Sequence, residues 1–106
     1  MASIDDLKKL DIRIAKVLAA EDHPNAQKLL ILKIDNGDRQ KQIIAGIKNF
    51  YKKEELVGKY IVVIDNLEPV NLRGEYSEGM LLAAQDDEAI SLLIPDRPIK
   101  EGSGVK

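Results

Sequence analysis

The chain has 106 residues, of which 44% are hydrophobic and 32% are charged, a balance that is typical of one globular domain with a modest core. It contains no cysteine, which excludes disulfide bonds, thiol catalysis and thiolate metal sites. The net charge of −2 excludes a protein that is basic over its whole surface, so a nucleic-acid interface must be a local patch. No stretch approaches the ~20 apolar residues of a membrane span, and acidic Asp5 and Asp6 stand where a signal peptide is positive, so a cytoplasmic protein is expected.

The first twenty residues predict a short helix followed by a curved strand. Ser3 can cap the N-terminus of the helix, and acidic residues follow in its first turn. Three apolar side chains recur at helical spacing and are expected to cover one end of the core (Ile4, Leu7 and Leu10). Residues 11–20 then alternate between apolar and polar side chains, but the phase slips near Ala15, which predicts a bulged or strongly curved first strand.

Further apolar runs predict a small barrel. They fall at 28–35, 41–47, 59–65, 79–85 and 89–94, and the turn-forming pair Asn36-Gly37 follows the first of them. Residues 48–56 are charged and lack strand alternation, which predicts a short helix between the third and fourth strands. We therefore predict a mainly β fold, a five-stranded Greek-key barrel of the oligonucleotide/oligosaccharide-binding (OB) type, with residues 1–106 forming a single domain with a C-terminal extension.

Several polar residues raise the question of a catalytic or metal site. His23 is the only histidine and precedes Pro24 in a loop, where a hydrogen-bonded structural role is more common than that of a ligand or base. Asp35 and Asp38 flank a turn, but their spacing does not match a twelve-residue calcium loop. Nothing in the sequence places His23 beside Ser77 with a third orienting group, and no phosphate-binding glycine loop is present. We expect a binding module without metal or cofactor, not an enzyme.

The stretch from 66 to 83 joins two apolar runs and has the composition of a functional loop. It contains a guanidinium that suits a phosphate or a base edge, a hydroxyl, two glycines and one soft apolar side chain (Arg73, Ser77, Gly74, Gly79 and Met80). This combination suits nucleic acid. The alternative is a surface hairpin in which Arg73 is solvated and Met80 belongs to the core.

Five blocks of sequence carry a family resemblance. They cover residues 11–17, 23–29, 42–47, 56–59 and 66–83, and they include His-Pro-Asn-Ala at 23–26, Leu-Arg-Gly at 72–74 and Ser-Glu-Gly-Met at 77–80. The five blocks occur in the same order, and with matching spacing, in a known family. In these blocks the chain resembles the tRNA-binding domain found at the C-terminus of many methionyl-tRNA synthetases and in related cytokine-precursor and yeast synthetase-cofactor proteins. It is similar over essentially its whole length to the free-standing form, or to a separately encoded synthetase β chain.

The resemblance implies an OB barrel that binds tRNA by shape, at the outer corner of the L, with little dependence on sequence. It also implies a homodimer in which the segment from about residue 95 contributes to the interface. The residues that match the family's tRNA-facing positions are Asn25, Lys28, Lys41, Arg73, Ser77 and Met80. In the implied roles, the three cations neutralise phosphates, Ser77 donates to a phosphate or 2′-hydroxyl, and Met80 packs on a sugar or base. Two alternatives stay open: Met80 as a core residue, and Asn25 as a residue that stabilises its own turn.

The resemblance also leaves a choice of partner. A methionyl-tRNA synthetase could receive tRNA from this chain in protein biosynthesis, and duplex DNA is not an expected partner. A branch of the same family resembles an export-related chaperone that binds unfolded polypeptides, but that branch generally lacks the Leu-Arg-Gly and Ser-x-Gly-Met pattern found here. Because acidic Glu75 and Glu78 lie beside Arg73 and Ser77, RNA binding is expected to be weak and sensitive to salt.

Overall fold

The computed structural model describes residues 1–106 and contains two short helices and nine strands. The helices are α1 (Ile4–Lys8) and α2 (Lys53–Leu56). The strands are β1 (Ile12–Asp22), β2 (Leu30–Asp35), β3 (Gln40–Ala45), β4 (Tyr60–Ile64), β5 (Val70–Leu72), β6 (Glu75–Ser77), β7 (Met80–Leu81), β8 (Ala83–Gln85) and β9 (Ile90–Leu92). Neither helix has the length or the apolar character needed to cross a membrane.

Five antiparallel strands form the barrel in the order β3-β2-β1-β4-β7, which confirms the predicted five-stranded architecture. The two edges meet where residues 77 and 78 lie beside β3. The Glu78 N–H donates to the Gln42 carbonyl oxygen at 2.8 Å, and the Ile44 N–H donates to Ser77 Oγ at 2.9 Å. These bonds nearly close the barrel and give partners to backbone groups on the edge of β3.

The first strand is long because it serves two neighbours in turn. Residues 12–16 pair with β4, and residues 16–22 pair with β2, with a bulge in the second ladder between Val17 and Ala19. The sequence predicted that the alternation of apolar and polar residues is interrupted near Ala15. The bulge lies two to four residues further along the strand. Ile14 and Ala15 are both buried, although they point to opposite faces of the strand, and this explains the interrupted alternation.

Thirteen buried residues form the core inside the barrel. They come from β1 to β4, β7, β9, α2 and the segment after β3 (Ala15, Val17, Leu30, Leu32, Ile34, Ile43, Ala45, Ile47, Leu56, Ile61, Val63, Leu81 and Leu92). Leu56 is fully buried, so α2 covers one open end of the barrel with this side chain. The helix predicted between the third and fourth strands is therefore confirmed.

The N-terminal helix is capped as predicted but does not cover the core. Ser3 Oγ accepts from the Asp6 N–H and the Asp6 carboxylate accepts from the Ser3 N–H, at 3.1 and 3.0 Å. No residue of α1 is buried, and Ile4 and Leu7 are 73% and 51% exposed. The predicted lid is wrong for this chain alone, because the apolar side of the helix faces solvent.

Two regions differ from the predicted strands. The connection from β4 to β7 contains an additional hairpin formed by β5 and β6, and the apolar run at 79–85 is divided between β7 and β8. β8 leaves the main sheet and pairs with β9. The turn after β2 has four residues, because β3 begins only at Gln40.

The C-terminal segment returns to the start of β1. The Gly102 N–H donates to the Ile14 carbonyl oxygen at 2.7 Å, and the Val105 N–H donates to the Ile12 carbonyl oxygen at 2.8 Å. Gly102 and Gly37 both have positive φ, and a Cβ built on Gly102 would lie 2.9 Å from the Gly37 Cα. Only glycine fits this crossing, which fixes the extension against the barrel.

Candidate nucleic-acid interface

Arg73 lies at the tip of the β5–β6 hairpin (Val70–Ser77), in a two-residue turn with Gly74. Both residues have positive φ, 58° for Arg73 and 96° for Gly74, as a type I′ turn requires. Arg73 is the only residue other than glycine with positive φ. This conformation costs an L-residue with a large side chain about 1 kcal/mol. An unfavourable backbone conformation at an exposed cation points to function, since Asn or Gly would fit the turn better.

The loop between β1 and β2 (residues 23–29, the β1–β2 loop) lies against this hairpin. His23 is 4% exposed, and its Nε2 lies 2.8 Å from the Leu72 carbonyl oxygen. The Asn25 N–H donates to His23 Nδ1 at 2.9 Å, and Asn25 Nδ2 donates to the Arg73 carbonyl oxygen at 3.0 Å. His23 is thus a buried, fully hydrogen-bonded residue, as the sequence predicted. Asn25 does stabilise local structure, but the structure it stabilises is the hairpin.

Three of the six predicted residues come together here. Asn25, Lys28 and Arg73 line one recess of about 520 Å³ (the β1–β2 recess), together with Ala26, Gln27 and Leu29. Asn25, Lys28 and Arg73 are exposed, and neither cation takes part in a salt bridge. A concave site with two free cations and an amide suits the phosphates and hydroxyls of a nucleic-acid backbone.

Lys41 lies at the other end of β2 and β3 and has an internal partner. Its ammonium donates to the Asp65 carbonyl oxygen at 2.8 Å and forms a salt bridge with the Asp65 carboxylate at 3.2 Å. The Lys41 side chain is only 11% exposed. Because its charge is neutralised and its donors point inward, this geometry does not support the predicted phosphate contact.

Ser77 is buried, and its hydroxyl is used twice inside the protein. Its Oγ donates to the Gly79 carbonyl oxygen at 2.7 Å and accepts from the Ile44 N–H. A hydroxyl has one proton, so Ser77 cannot also donate to a phosphate without losing this bond. The geometry assigns it to barrel closure and does not support the predicted donor role.

Met80 is 53% exposed, which excludes the alternative that it belongs to the core. It lines a mainly apolar pocket of about 450 Å³ between the hairpin and β3, the apolar pocket (Ile44, Leu67, Glu68, Val70, Leu72, Ser77, Gly79 and Met80). Leu72 lines this pocket and is also the neighbour of Arg73 in the chain. The hairpin therefore separates a polar recess from an apolar pocket, and a soft thioether forms part of the latter.

Arg13, like Lys41, is paired with carboxylates. Arg13 bonds to Asp11 and Asp38, and these contacts raise its pKa above the usual range. Burial acts to raise the pKa of Asp65, but the hydrogen bonds from Asn36 and Lys41 outweigh it and hold this pKa below its usual value. The structure contains no cluster of three or more His, Asp or Glu side chains that could hold a metal ion.

Two carboxylates at the hairpin contact β3. Glu75, in β6, accepts from Gln42 Nε2 at 3.4 Å, and Glu78 follows β6. The Gln42 N–H donates to Glu78 and, with Arg39, outweighs burial, so the pKa of Glu78 lies below its usual value. Glu78 is therefore ionised, but its charge is directed towards Arg39 and β3. Sequence reasoning missed Gln27, which lines the β1–β2 recess, and it did not identify the hairpin as the partner of His23. The bond from His23 to Leu72 joins residues 49 positions apart, and no local pattern reports such a contact.

Comparison with known proteins gives a consistent result. A family model described as a putative tRNA binding domain matches residues 12–104. The methionine–tRNA ligases of Nanoarchaeum equitans (strain Kin4-M) and Thermotoga maritima are each 53% identical to this chain, over 100% and 97% of its length. The chain covers only 14% and 16% of these two enzymes, so it spans about one-seventh of the length of the curated relatives that it matches.

Two solved structures match this chain over nearly their whole length. A protein related to methionyl-tRNA synthetase from Pyrococcus horikoshii superposes with a TM-score of 0.93 at 28% identity, covering 100% of this chain and 98% of that chain. The chaperone CsaA from Bacillus anthracis str. Ames superposes with a TM-score of 0.92 at 32% identity, covering 100% and 99%. The match of the family model over nearly all of the barrel agrees with the five blocks that the sequence shares with this group. The chain therefore belongs to the family of putative tRNA-binding domains.

Proposed function

We propose that this chain binds tRNA by shape and with little dependence on sequence, through the β1–β2 recess. The observation that carries the proposal is the convergence of Asn25, Lys28 and Arg73 on one concave surface. Two unpaired cations can neutralise phosphates, and the Asn25 amide, which donates to the Arg73 carbonyl oxygen, can hold one of them in place. The recess has no aromatic side chain on which bases could stack, which favours backbone recognition over base readout.

Met80 and the apolar pocket extend this surface. An exposed thioether next to the cationic hairpin could pack against a ribose or an unstacked base without selecting its identity. The proposed contact set is therefore Arg73 and Lys28 for charge, Asn25 for orientation and Met80 for apolar contact.

We further propose that two copies act together. The segment after β9 exposes apolar side chains, including Leu93, Ile94 and Ile99, although hydrogen bonds hold its end against β1. The apolar side of α1 is exposed as well. Exposed apolar surface of this kind is typical of an interface. A dimer would present two recesses to RNA and gain avidity from both.

The similarity to methionine–tRNA ligases supports a partner. We propose that the domain presents tRNA to a methionyl-tRNA synthetase, whether it is linked to that enzyme or docks onto it. In that case, adding the chain to a synthetase should lower the KM for tRNA and leave the KM for methionine unchanged, because only one substrate contacts the recess.

The main test is a titration of labelled bulk tRNA, single-stranded RNA and duplex DNA of similar length, at two salt concentrations, with the mass measured by light scattering. We expect a dimer that prefers tRNA. With two free cations in each recess, the slope of log affinity against log salt should be about −3 to −4 for the dimer, and Arg73→Ala should make it shallower. Absence of RNA binding at low salt would overturn the proposal.

A second candidate is binding of unfolded polypeptides. It is favoured by the apolar pocket and by the structural similarity to CsaA chaperones. If this activity is the relevant one, the chain should suppress aggregation of a model unfolded protein at stoichiometric amounts. Met80→Glu should then abolish suppression, whereas Arg73→Ala should not affect it.

A further inference from the structure

We propose that His23 and Asn25 are positioning residues that fix the direction of the Arg73 side chain. This inference rests on the proposed function, because Arg73 must contact RNA for its direction to matter. His23 would then contribute to binding although its side chain is buried. Asn25 would act by holding Arg73 and not by a bond of its own to RNA.

The hairpin that carries Arg73 is too small to define its own tip. β5 and β6 form only three residue pairs, and a two-stranded hairpin of this size is marginally stable by itself in water. Arg73 adopts a φ of 58°, a backbone conformation that residues other than glycine rarely adopt. Within the hairpin, the Gly74 N–H donates to Asn71 Oδ1 at 2.8 Å. Contacts from outside the hairpin add to this bond in holding the conformation.

Those contacts come from the β1–β2 loop and act on both sides of one Cα atom. The Leu72 carbonyl belongs to the peptide unit before Arg73, and the Arg73 carbonyl belongs to the peptide unit after it. His23 Nε2 bonds to the first at 2.8 Å, and Asn25 Nδ2 donates to the second at 3.0 Å. Because both planes are held, φ and ψ of Arg73 are fixed, and so is the direction of its Cα–Cβ bond.

The tautomer of His23 follows from its neighbours. The Asn25 N–H donates to Nδ1 at 2.9 Å, so Nδ1 carries no proton and Nε2 is the donor to Leu72. The same bond joins His23 to Asn25, and the two side chains form one connected unit. The ring is 4% exposed, which shields these hydrogen bonds from water.

No side-chain contact orients the guanidinium directly. Arg73 is exposed and its side chain forms no salt bridge or hydrogen bond, so its average direction depends on the backbone alone. The recess that it shares with Lys28 exists only while the hairpin tip stays against the loop.

A double-mutant cycle on tRNA affinity tests the proposal. Asn25 is exposed, so Asn25→Ala is expected to fold, and it removes only the bond to the Arg73 carbonyl. It should weaken binding about fivefold, the value of one hydrogen bond, and less than twofold when Arg73 is already alanine. The matched control is Asn66→Ala, which breaks two hydrogen bonds near α1 and should leave affinity unchanged.

Variants of His23 supply a second readout. Gln can place an amide donor near the position of Nε2, so His23→Gln should retain more affinity than His23→Ala. In the absence of RNA, Asn25→Ala should shift the NMR amide resonances of Arg73 and Gly74 while those of the core strands stay in place.

The outcomes separate this inference from the proposed function. If Asn25→Ala weakens binding equally with Arg73 present or absent, Asn25 contacts RNA itself and the positioning role is overturned. If the Arg73 and Gly74 resonances do not move, the bond does not define the hairpin tip and the proposal is again overturned. If Arg73→Ala alone leaves affinity unchanged, the proposed interface fails, and the positioning role fails with it.

Discussion

Replacing Arg73 with asparagine should change stability and RNA binding in opposite directions. Arg73 has positive φ, which costs an L-residue about 1 kcal/mol, and asparagine is among the residues preferred at this position of a type I′ turn. The guanidinium forms no salt bridge whose loss would offset the gain. We therefore expect Arg73→Asn to raise the free energy of unfolding by about 0.5–1 kcal/mol.

The same substitution removes the cation from the recess. Loss of one arginine contact to nucleic acid weakens binding by ~1–3 kcal/mol, or roughly 5- to 150-fold. Stability is measured by urea denaturation followed by circular dichroism, and affinity by fluorescence anisotropy with labelled tRNA at low salt. Both measurements use one purified variant, so a difference in sign between them does not depend on sample preparation.

Lys106→Asn is the matched control for the loss of charge. Lys106 is exposed, forms no salt bridge and follows Val105, which bonds to Ile12 at the start of β1, whereas the recess lies at the end of this strand. The control should leave both quantities unchanged. An Arg73→Asn variant that is less stable than the native protein would refute the reasoning, because the arginine would then contribute to the fold. Unchanged affinity would show that Arg73 does not contact RNA.

Three further predictions concern the parts of the molecule that support this surface. The pKa of Asp65 in the folded protein lies below its usual value, so ionised Asp65 stabilises the fold above about pH 4. This contribution is lost as the pH falls through the lower pKa of the folded state. Asp65→Asn should therefore reduce the dependence of the free energy of unfolding on pH, measured by urea denaturation between pH 7 and 3. Gly102→Ala should cost roughly 1–3 kcal/mol, because its Cβ meets Gly37 at a positive φ, while Gly104→Ala, with open space around it, should cost little. Ile99→Glu should convert the proposed dimer to monomers in light scattering and weaken tRNA binding through lost avidity, and retention of the dimeric mass would contradict the proposed interface.

Much of the barrel could be predicted because its signals are local. β2 and β4 fall within the apolar runs that were assigned to strands, and Ser3 caps α1 through neighbouring residues. The β5–β6 hairpin was raised only as an alternative and its strands were not predicted, because three-residue strands are too short to show alternation and Arg-Gly is not the usual type I′ pair. The periodicity of the sequence identified the apolar side of α1, but periodicity does not say what covers that side. In this structure no other part of the chain covers it.

The site could be predicted only in part. The proximity of Asn25 and Arg73 joins residues 48 positions apart and was implied by family resemblance, not by spacing. Lys41 and Ser77 match the same pattern, but Asp65 and Gly79 use their polar atoms inside the barrel. A sequence reports which side chains are polar. Whether a side chain is available depends on tertiary partners, and this decides which matching positions can bind a ligand.

The positions of paired and unpaired cations explain how a chain with a net charge of −2 can have an RNA-binding surface. Arg13 and Lys41 lie among carboxylates at one end of the barrel, where each charge is neutralised within a few ångströms. Lys28 and Arg73 form no salt bridge and lie together on the β1–β2 recess. Because charges more than about 8–10 Å apart are largely screened at physiological salt, an approaching phosphate responds to these two cations far more than to the carboxylates at the opposite end of the barrel. Glu75, in the same hairpin as Arg73, opposes them and is expected to weaken the attraction. The same screening limits the attraction of one recess, so a second recess in a dimer would supply affinity that a more basic protein obtains from its overall charge.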